Sequence, residues 1–176
     1  CNIGYILEYQ GATAQALKYF RRAHRLSEKI GYKAGIGGYS NNMAQIYIKN
    51  QQYNKAIPLL NNAIEILEKL GAADYVFYII ARAFCYMKIE NNHTLIEELG
   101  NIESLLKKHS SLYDYRALWQ LHSIYKKLSN YKKANKYIKA AEKSLKKRCQ
   151  HIKSDNEKTY FLNTHDALLI LKSIKN

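Results

Sequence analysis

A group of side chains that could bind a metal ion lies near the C-terminus: Cys149, His151, Asp155, His165 and Asp166. Ligands carried by one helix usually fall three or four residues apart, and zinc sites pair their cysteines through short loops. Taken together, the five residues match no zinc pattern. The sequence also lacks a glycine-rich phosphate loop, a G-x-S-x-G motif and paired carboxylates in an apolar setting. We therefore predict polar interface residues here, no metal, no cofactor and no enzymatic activity.

Basic residues are a second candidate source of function. The formal net charge is +14, and residues 125–176 hold 14 Lys and Arg against 4 Asp and Glu. One stripe of lysines follows the last repeated helix: Lys132, Lys136, Lys139, Lys143 and Lys147, with Lys133, Lys146 and Arg148 nearby. Nucleic-acid sites usually interleave arginine and exposed aromatic residues, which this stripe does not. The joint enrichment in Lys, Asn, Ile and Tyr is typical of low-GC bacterial codon usage, so nucleic acid is not the predicted partner.

Composition limits the remaining classes. The 176 residues include 47% apolar residues, one proline and eight glycines, as in a helical globular domain. No apolar run reaches the roughly 18 residues that a membrane span requires. The three cysteines, Cys1, Cys85 and Cys149, are far apart and odd in number, which favours a reducing, cytoplasmic location. Because the chain begins at Cys1 with a shortened first helix, we expect it to be part of a longer protein.

Four stretches of the chain share one pattern of small and large residues, and the stretches follow one another after 40, 39 and 39 residues. The matching positions are Gly4, Leu7, Ala16, Phe20 and Ala23; Ala44, Tyr47, Ala56, Leu60 and Ala63; Ala83, Tyr86, Leu95, Leu99 and Ile102; and His122, Tyr125, Ala134, Ile138 and Ala141. A fixed period of this size indicates a stacked repeat, in which one unit cannot bury its own apolar face. Such a chain presents a long surface, so binding is the expected role.

Each repeat is predicted to be two amphipathic helices. In residues 53–70 apolar side chains recur every three or four positions, and residues 131–147 repeat the pattern. The links between the helices are short, which makes each pair antiparallel. The predicted repeats span about 1–32, 33–71, 72–110 and 111–153, and together they form a domain over 1–153. Ser154 and Glu157 fit a capping box that opens a C-terminal capping helix over 154–176.

The order of small residue, aromatic residue, Ala, large apolar residue and Ala resembles the tetratricopeptide repeat, in a longer form of 39–40 residues. Residues 39–47, YSNNMAQIY, and 53–60, YNKAIPLL, carry the resemblance most clearly, and it extends from residue 1 to about 150. Similar arrays occur in kinesin light chains, bacterial peptide-sensing regulators and multidomain signalling proteins. The resemblance implies an all-α fold: a right-handed α-solenoid of four antiparallel helix pairs, followed by the capping helix.

The resemblance also implies a binding site, because the first helices of such pairs line a concave groove. The implied groove residues are Asn2, Tyr5, Glu8 and Tyr9 in the first repeat; Asn41, Asn42, Gln45, Ile48 and Lys49 in the second; Ile80, Ala81, Phe84, Met87 and Lys88 in the third; and Trp119, Gln120, Ser123, Lys126 and Lys127 in the fourth. In related peptide-binding arrays an asparagine at the place of Asn2 and Asn42 holds a peptide backbone, since an amide both donates and accepts.

The remaining groove residues predict the character of the partner. Phe84, Met87 and Trp119 are the expected apolar anchors, because aromatic residues dominate interface energies. Lysines recur in register at positions 49, 88 and 127 and would meet an acidic segment or a terminal carboxylate. We therefore predict a non-catalytic module that binds a protein or peptide segment, extended or helical and acidic.

Two further hypotheses fit the same pattern. The array would change its curvature on binding a signalling peptide and so control an effector domain elsewhere in the protein. Alternatively, it would be a spacer that contacts other domains of the same polypeptide and binds no ligand of its own.

Overall fold

The computed structural model describes residues 2–108 and 114–175, and these residues form ten α-helices and no strand. The helices are α1 (Asn2–Tyr9), α2 (Thr13–Lys29), α3 (Lys33–Lys49), α4 (Tyr53–Lys69), α5 (Tyr75–Lys88), α6 (Asn92–Lys108), α7 (Tyr115–Lys127), α8 (Tyr131–Gln150), α9 (Asp155–Leu162) and α10 (His165–Lys175). The predicted all-α, solenoid-like repeat fold is confirmed.

The helices belong to two compact units. The first unit contains α1–α6, in which each helix packs against the next along the chain. The second contains α7–α10, in which α7, α9 and α10 all pack against α8. Within the first unit α3 also contacts α5, so first helices of neighbouring pairs lie side by side.

The first helix of every pair ends in the same way. Gly11, Gln51, Glu90 and Ser129 follow α1, α3, α5 and α7, and all four have a positive φ of 57° to 77°. After α3, the amide of Gln52 donates to the carbonyl of Tyr47 at 2.8 Å, and the amide of Gln51 donates to Ile48 at 3.0 Å. This pair of hydrogen bonds is the Schellman motif, which satisfies the last carbonyls of a helix. The chain reverses within three residues, so the antiparallel pairing is set locally.

Small residues allow the helices to approach closely. Ala16, Ala56 and Ala134, which open the core face of α2, α4 and α8, are all buried. In the first unit Phe20 packs with Met43 and Ile46, and Leu59 of α4 lies against the same cluster. The core thus runs from the first pair to the second, as the repeat pattern requires.

The C-terminal residues form two helices where the sequence predicted one. Ser154 caps α9, since its hydroxyl accepts from the amide of Glu157 at 3.4 Å, and this confirms the predicted helix start. The helix ends at Leu162, and the hydroxyl of Thr164 donates a hydrogen bond to the carbonyl of Phe161 at 2.7 Å. The new helix α10 then packs against α8 and buries Ile170.

Candidate functional site

The polar groove residues of the first two repeats lie together on α1 and α3. Asn42 donates from Nδ2 to the hydroxyl of Tyr5 at 2.8 Å. Lys49 pairs with the carboxylate of Glu8 at 2.6 Å. Each contact joins α3 to α1, so the first helices of these two pairs share one polar face, which we call the α1–α3 face.

Several amide groups of the α1–α3 face have hydrogen-bonding capacity left over. Gln45 donates from Nε2 to Oδ1 of Asn41 at 3.2 Å, one turn away on α3. Oδ1 of Asn42, Nδ2 of Asn41 and Oε1 of Gln45 make no hydrogen bond within the part of the chain that the structure describes. Two acceptors and a donor, all half-buried, therefore remain for a ligand.

The side chains of two predicted groove residues in the first repeat are not described. Asn2 and Tyr9 are the first and last residues of α1, but their side chains lie outside the described residues. That Asn2 and Asn42 both hold a peptide backbone stays a prediction.

In the third repeat, the structure corrects the expected apolar anchor. Phe84 is 3% exposed and Met87 is 7% exposed, and the Phe84 ring packs edge-on against Tyr53 with centroids 6.4 Å apart. Both side chains belong to the core and offer almost no surface to a ligand. The exposed residue here is Lys88, whose ammonium lies 5.3 Å from the centre of the Phe84 ring.

The reason for this burial is the composition of α5. Apolar residues cover most of its circumference, and the buried ones are Val76, Ile79, Ile80, Ala81, Ala83, Phe84, Cys85 and Met87. A helix that is apolar all round is buried on more than one side. Its register within the repeat therefore did not predict which side chains a ligand could reach.

In the fourth repeat, Trp119, Gln120 and Lys127 lie on α7, within the second unit. Trp119 is half-buried, and its indole N–H donates to the hydroxyl of Ser173 on α10 at 3.2 Å. Gln120 is buried, whereas Lys127 is exposed. The polar edge of Trp119 is thus already bonded to the C-terminal helix, and Lys127 is the accessible residue of the three.

A charged network that the sequence did not reveal joins α4, α5 and α6. Arg82 donates to Oδ1 of Asn61 at 2.7 Å and pairs with the carboxylate of Glu98. Burial raises the pKa of the Glu98 carboxyl above its usual value, and the nearby Arg82 opposes that rise. Arg82 Nε and Glu98 Oε2 are buried and form no hydrogen bond with any residue that the structure describes. Because the network connects side chains of three helices in the first unit, we assign it a role in the packing of that unit.

The predicted lysine stripe of α8 is exposed, and two lysines beside it have local partners. Lys146 pairs with Glu142 at 2.6 Å, and the ammonium of Lys133 lies 5.0 Å from the ring centre of Tyr125. A second set of cations, on α2, was missed. Its signal was present in the sequence, since Lys18, Arg22, Arg25 and Lys29 are spaced by four, three and four residues.

Within residues 2–108 and 114–175, no three His, Cys, Asp or Glu side chains group closely enough to hold a metal ion. Over the same ranges, no helix combines the length and the apolar character that crossing a bilayer requires.

Comparison with known proteins supports the repeat in the first part of the chain. The family model described as tetratricopeptide repeat matches residues 1–69. No curated protein matches the chain. Among solved structures, the chain is similar to the crystal structure of BtubC (BKLC) from P. vanneervenii, with a TM-score of 0.63 and 13% identity. That alignment covers 87% of this chain, which spans only 64% of the other, and at this identity the likeness shows the fold alone.

Proposed function

We propose, from the premise that residues 1–69 belong to the tetratricopeptide repeat family, that the α1–α3 face binds an extended segment of a partner protein. Tetratricopeptide repeats generally mediate protein–protein interaction, and the proposed role is non-catalytic. The observation that carries the proposal is the pair of contacts that fix this face, Asn42 to Tyr5 and Lys49 to Glu8.

Those contacts bear on affinity because they hold the face in place before a ligand arrives. A side chain that is already ordered loses little entropy on binding, and that loss otherwise costs roughly 0.5–1.5 kcal/mol per side chain. The amide of Asn42 is oriented by Tyr5 and keeps Oδ1 open, so it accepts from a backbone N–H of the segment. Asn41 and Gln45 supply a further donor and acceptor one turn apart.

Charge indicates which segment fits. Lys49 is neutralised by Glu8, so the α1–α3 face has little excess charge of its own. Lys88 on α5 is exposed and makes no ion pair with any residue that the structure describes. The proposed ligand is therefore a polar extended segment that carries a carboxylate, from an acidic residue or a C-terminus, beside Lys88.

Peptide selection against the full chain tests this function. Peptides selected from a displayed random library are measured by fluorescence anisotropy against wild type, Asn42→Ala and Asn54→Ala. Loss of the hydrogen bond from the peptide to Oδ1 weakens binding up to about tenfold in Asn42→Ala. Asn54 is exposed on α4 and serves as the matched control, with unchanged affinity expected.

Two results would overturn the proposal: a selection that yields no binding peptide, or equal affinity of wild type and Asn42→Ala. Lys88→Ala tests the charge separately, since this variant is expected to weaken the binding only of peptides that carry a carboxylate.

A further inference from the structure

Five exposed lysines follow one side of α8: Lys132, Lys136, Lys139, Lys143 and Lys147. They extend over about 22 Å and lie within an arc of about 80° around the helix axis. Glu142, the one acidic residue of α8, lies beside that arc and pairs with Lys146, which is not one of the five. We call the five residues the α8 lysine face.

The charge of the α8 lysine face is not compensated by neighbouring side chains. None of the five lysines forms an ion pair with any residue in the ranges 2–108 and 114–175. Lys136 lies 5.5 Å from the ring centre of Tyr137, a contact that leaves its charge unpaired. Like charges one helical turn apart repel each other, so the face costs α8 stability. A partner that brings negative charge removes that repulsion.

The exposure of the α8 lysine face follows from its position in the repeat. The matching helix in the second pair, α4, packs against both α3 and α5. Its five matching residues are nevertheless all exposed: Asn54, Pro58, Asn61, Glu65 and Lys69. These repeat positions therefore face outward even where a helix has neighbours on two sides.

Composition does not account for five lysines at these positions. Lysine makes up 22 of the 176 residues, so fewer than one lysine is expected among any five. The matching positions of α4 include one lysine, and those of α6 also include one: His93, Glu97, Gly100, Ser104 and Lys108. Codon usage acts on all three helices alike, yet α8 has lysine at every one of the five positions.

We propose that the α8 lysine face binds the surface of an anionic lipid bilayer, with α8 lying parallel to the membrane. Anionic headgroups move laterally, so they can meet all five ammonium groups whatever the spacing of the lysines. Such attraction needs no apolar contact, because each lysine near the surface raises the affinity about fivefold. The proposal does not depend on the function proposed for the α1–α3 face.

Other anionic partners fit the α8 lysine face less well. Nucleic-acid sites usually combine arginine with exposed aromatic side chains, and none of the five residues is an arginine. Protein interfaces usually have an apolar centre. Among the large apolar residues of α8, the structure shows Tyr131 exposed, and it lies about 100° around the helix from Lys132. The face itself therefore offers charge without an apolar anchor.

Vesicle flotation of the full chain tests the proposal. Vesicles of phosphatidylcholine alone are compared with vesicles that contain about one-third phosphatidylglycerol, and we expect at least about tenfold tighter binding to the anionic ones. Raising the salt concentration should release the protein. The variant Lys136→Gln/Lys139→Gln/Lys143→Gln should bind the anionic vesicles at least about twentyfold more weakly than wild type.

A matched variant controls for net charge. Lys33→Gln/Lys55→Gln/Lys107→Gln removes the same charge from exposed positions on α3, α4 and α6. This control should bind within about threefold of wild type, because its lysines lie outside the α8 lysine face. The melting temperatures of both variants should stay within a few degrees of wild type, since all six substituted side chains are exposed.

Lysine acetylation shows which surface meets the vesicle. Anionic vesicles should protect the α8 lysine face from an acetylating reagent and leave Lys33 and Lys55 reactive. The proposal is overturned if wild type does not bind anionic vesicles, if both triple variants lose binding equally, or if Lys33 and Lys55 are protected as well. It also fails if an RNA duplex or a polyglutamate peptide protects the face and the vesicles do not.

Discussion

At the residue scale, Gly4 shows how much a single contact restricts the repeat. Ala44 and Ala83 hold the same repeat position, yet a Cβ on Gly4 would lie 2.6 Å from Cε1 of Phe20. The Phe20 ring is fully buried and cannot move aside, whereas the later repeats place a smaller leucine or isoleucine opposite. We therefore expect Gly4→Ala to lower the free energy of unfolding by about 1–3 kcal/mol in urea denaturation.

The control is Gly100→Ala, on the exposed side of α6 with no atom within 4 Å of the added Cβ. Alanine favours the helix there, so this variant should be more stable by about 0.5–1 kcal/mol. A neutral Gly4→Ala variant would contradict the packing described for α1 and α2.

The Glu98 carboxyl predicts a pH dependence at the same scale. Burial raises its pKa above the usual 4.5, so the folded chain binds the proton more tightly than the unfolded chain. Between the two pKa values, stability therefore falls as pH rises. Denaturation from pH 4.5 upward should show wild type losing stability relative to Glu98→Gln. Glu97→Gln, an exposed neighbour, should follow wild type, and parallel curves for wild type and Glu98→Gln would contradict the assignment.

At the element scale, the ends of the first helices store conformational strain. Gln51, Glu90 and Ser129 adopt the left-handed backbone that Gly11 adopts at the same place in the first repeat. A residue with a Cβ loses about 1–2 kcal/mol of stability in this conformation. Glycine removes that strain, but it also makes the unfolded chain more flexible, which offsets part of the stabilisation. Gln51→Gly, Glu90→Gly and Ser129→Gly should each raise the free energy of unfolding by about 0.5–1 kcal/mol.

Thermal denaturation of these three variants beside Gly11→Ala measures the effect. Gly11→Ala should lose stability, since nothing lies within 4 Å of the new Cβ and only the backbone conformation opposes it. Equal melting temperatures for Gln51→Gly and wild type would show that a side-chain contact compensates the strain.

Strong periodicity made some elements predictable from the sequence. The apolar period predicted helices over 53–70 and 131–147, and the structure has α4 at Tyr53–Lys69 and α8 at Tyr131–Gln150. The contacts of Asn42 with Tyr5 and of Lys49 with Glu8 agree with the register, which places these residues on facing sides of α1 and α3.

Other features depend on contacts that no period encodes. The left-handed residues were missed because glycine is the usual signal, and three of the four repeats use another residue there. Phe84 was misplaced because α5 is apolar on most sides. The bond from Trp119 to Ser173 involves α10, which lies outside the repeat and so has no register to predict it.

At the scale of the whole molecule, a helix outside the repeat continues the packing of the second unit. In the second unit α10 packs against the last repeat helix, α8. A non-repeat helix thus does for α8 what the next pair does for α2. Net charge follows the division into units, since residues 1–110 hold 13 Lys and Arg against 9 Asp and Glu, and residues 111–176 hold 15 against 5.

The covering role of α10 gives the last prediction. Ile170 is fully buried on α10, whereas Ile174, one turn later, is 38% exposed. Truncating a buried isoleucine costs about 2–5 kcal/mol, because it removes apolar contacts and leaves a cavity. Ile170→Ala should therefore speed hydrogen exchange of the backbone amides of α8, and Ile174→Ala should leave it nearly unchanged. If both variants exchanged like wild type, α8 would be stable without α10, and the C-terminal helix would be free for a role other than covering the last repeat.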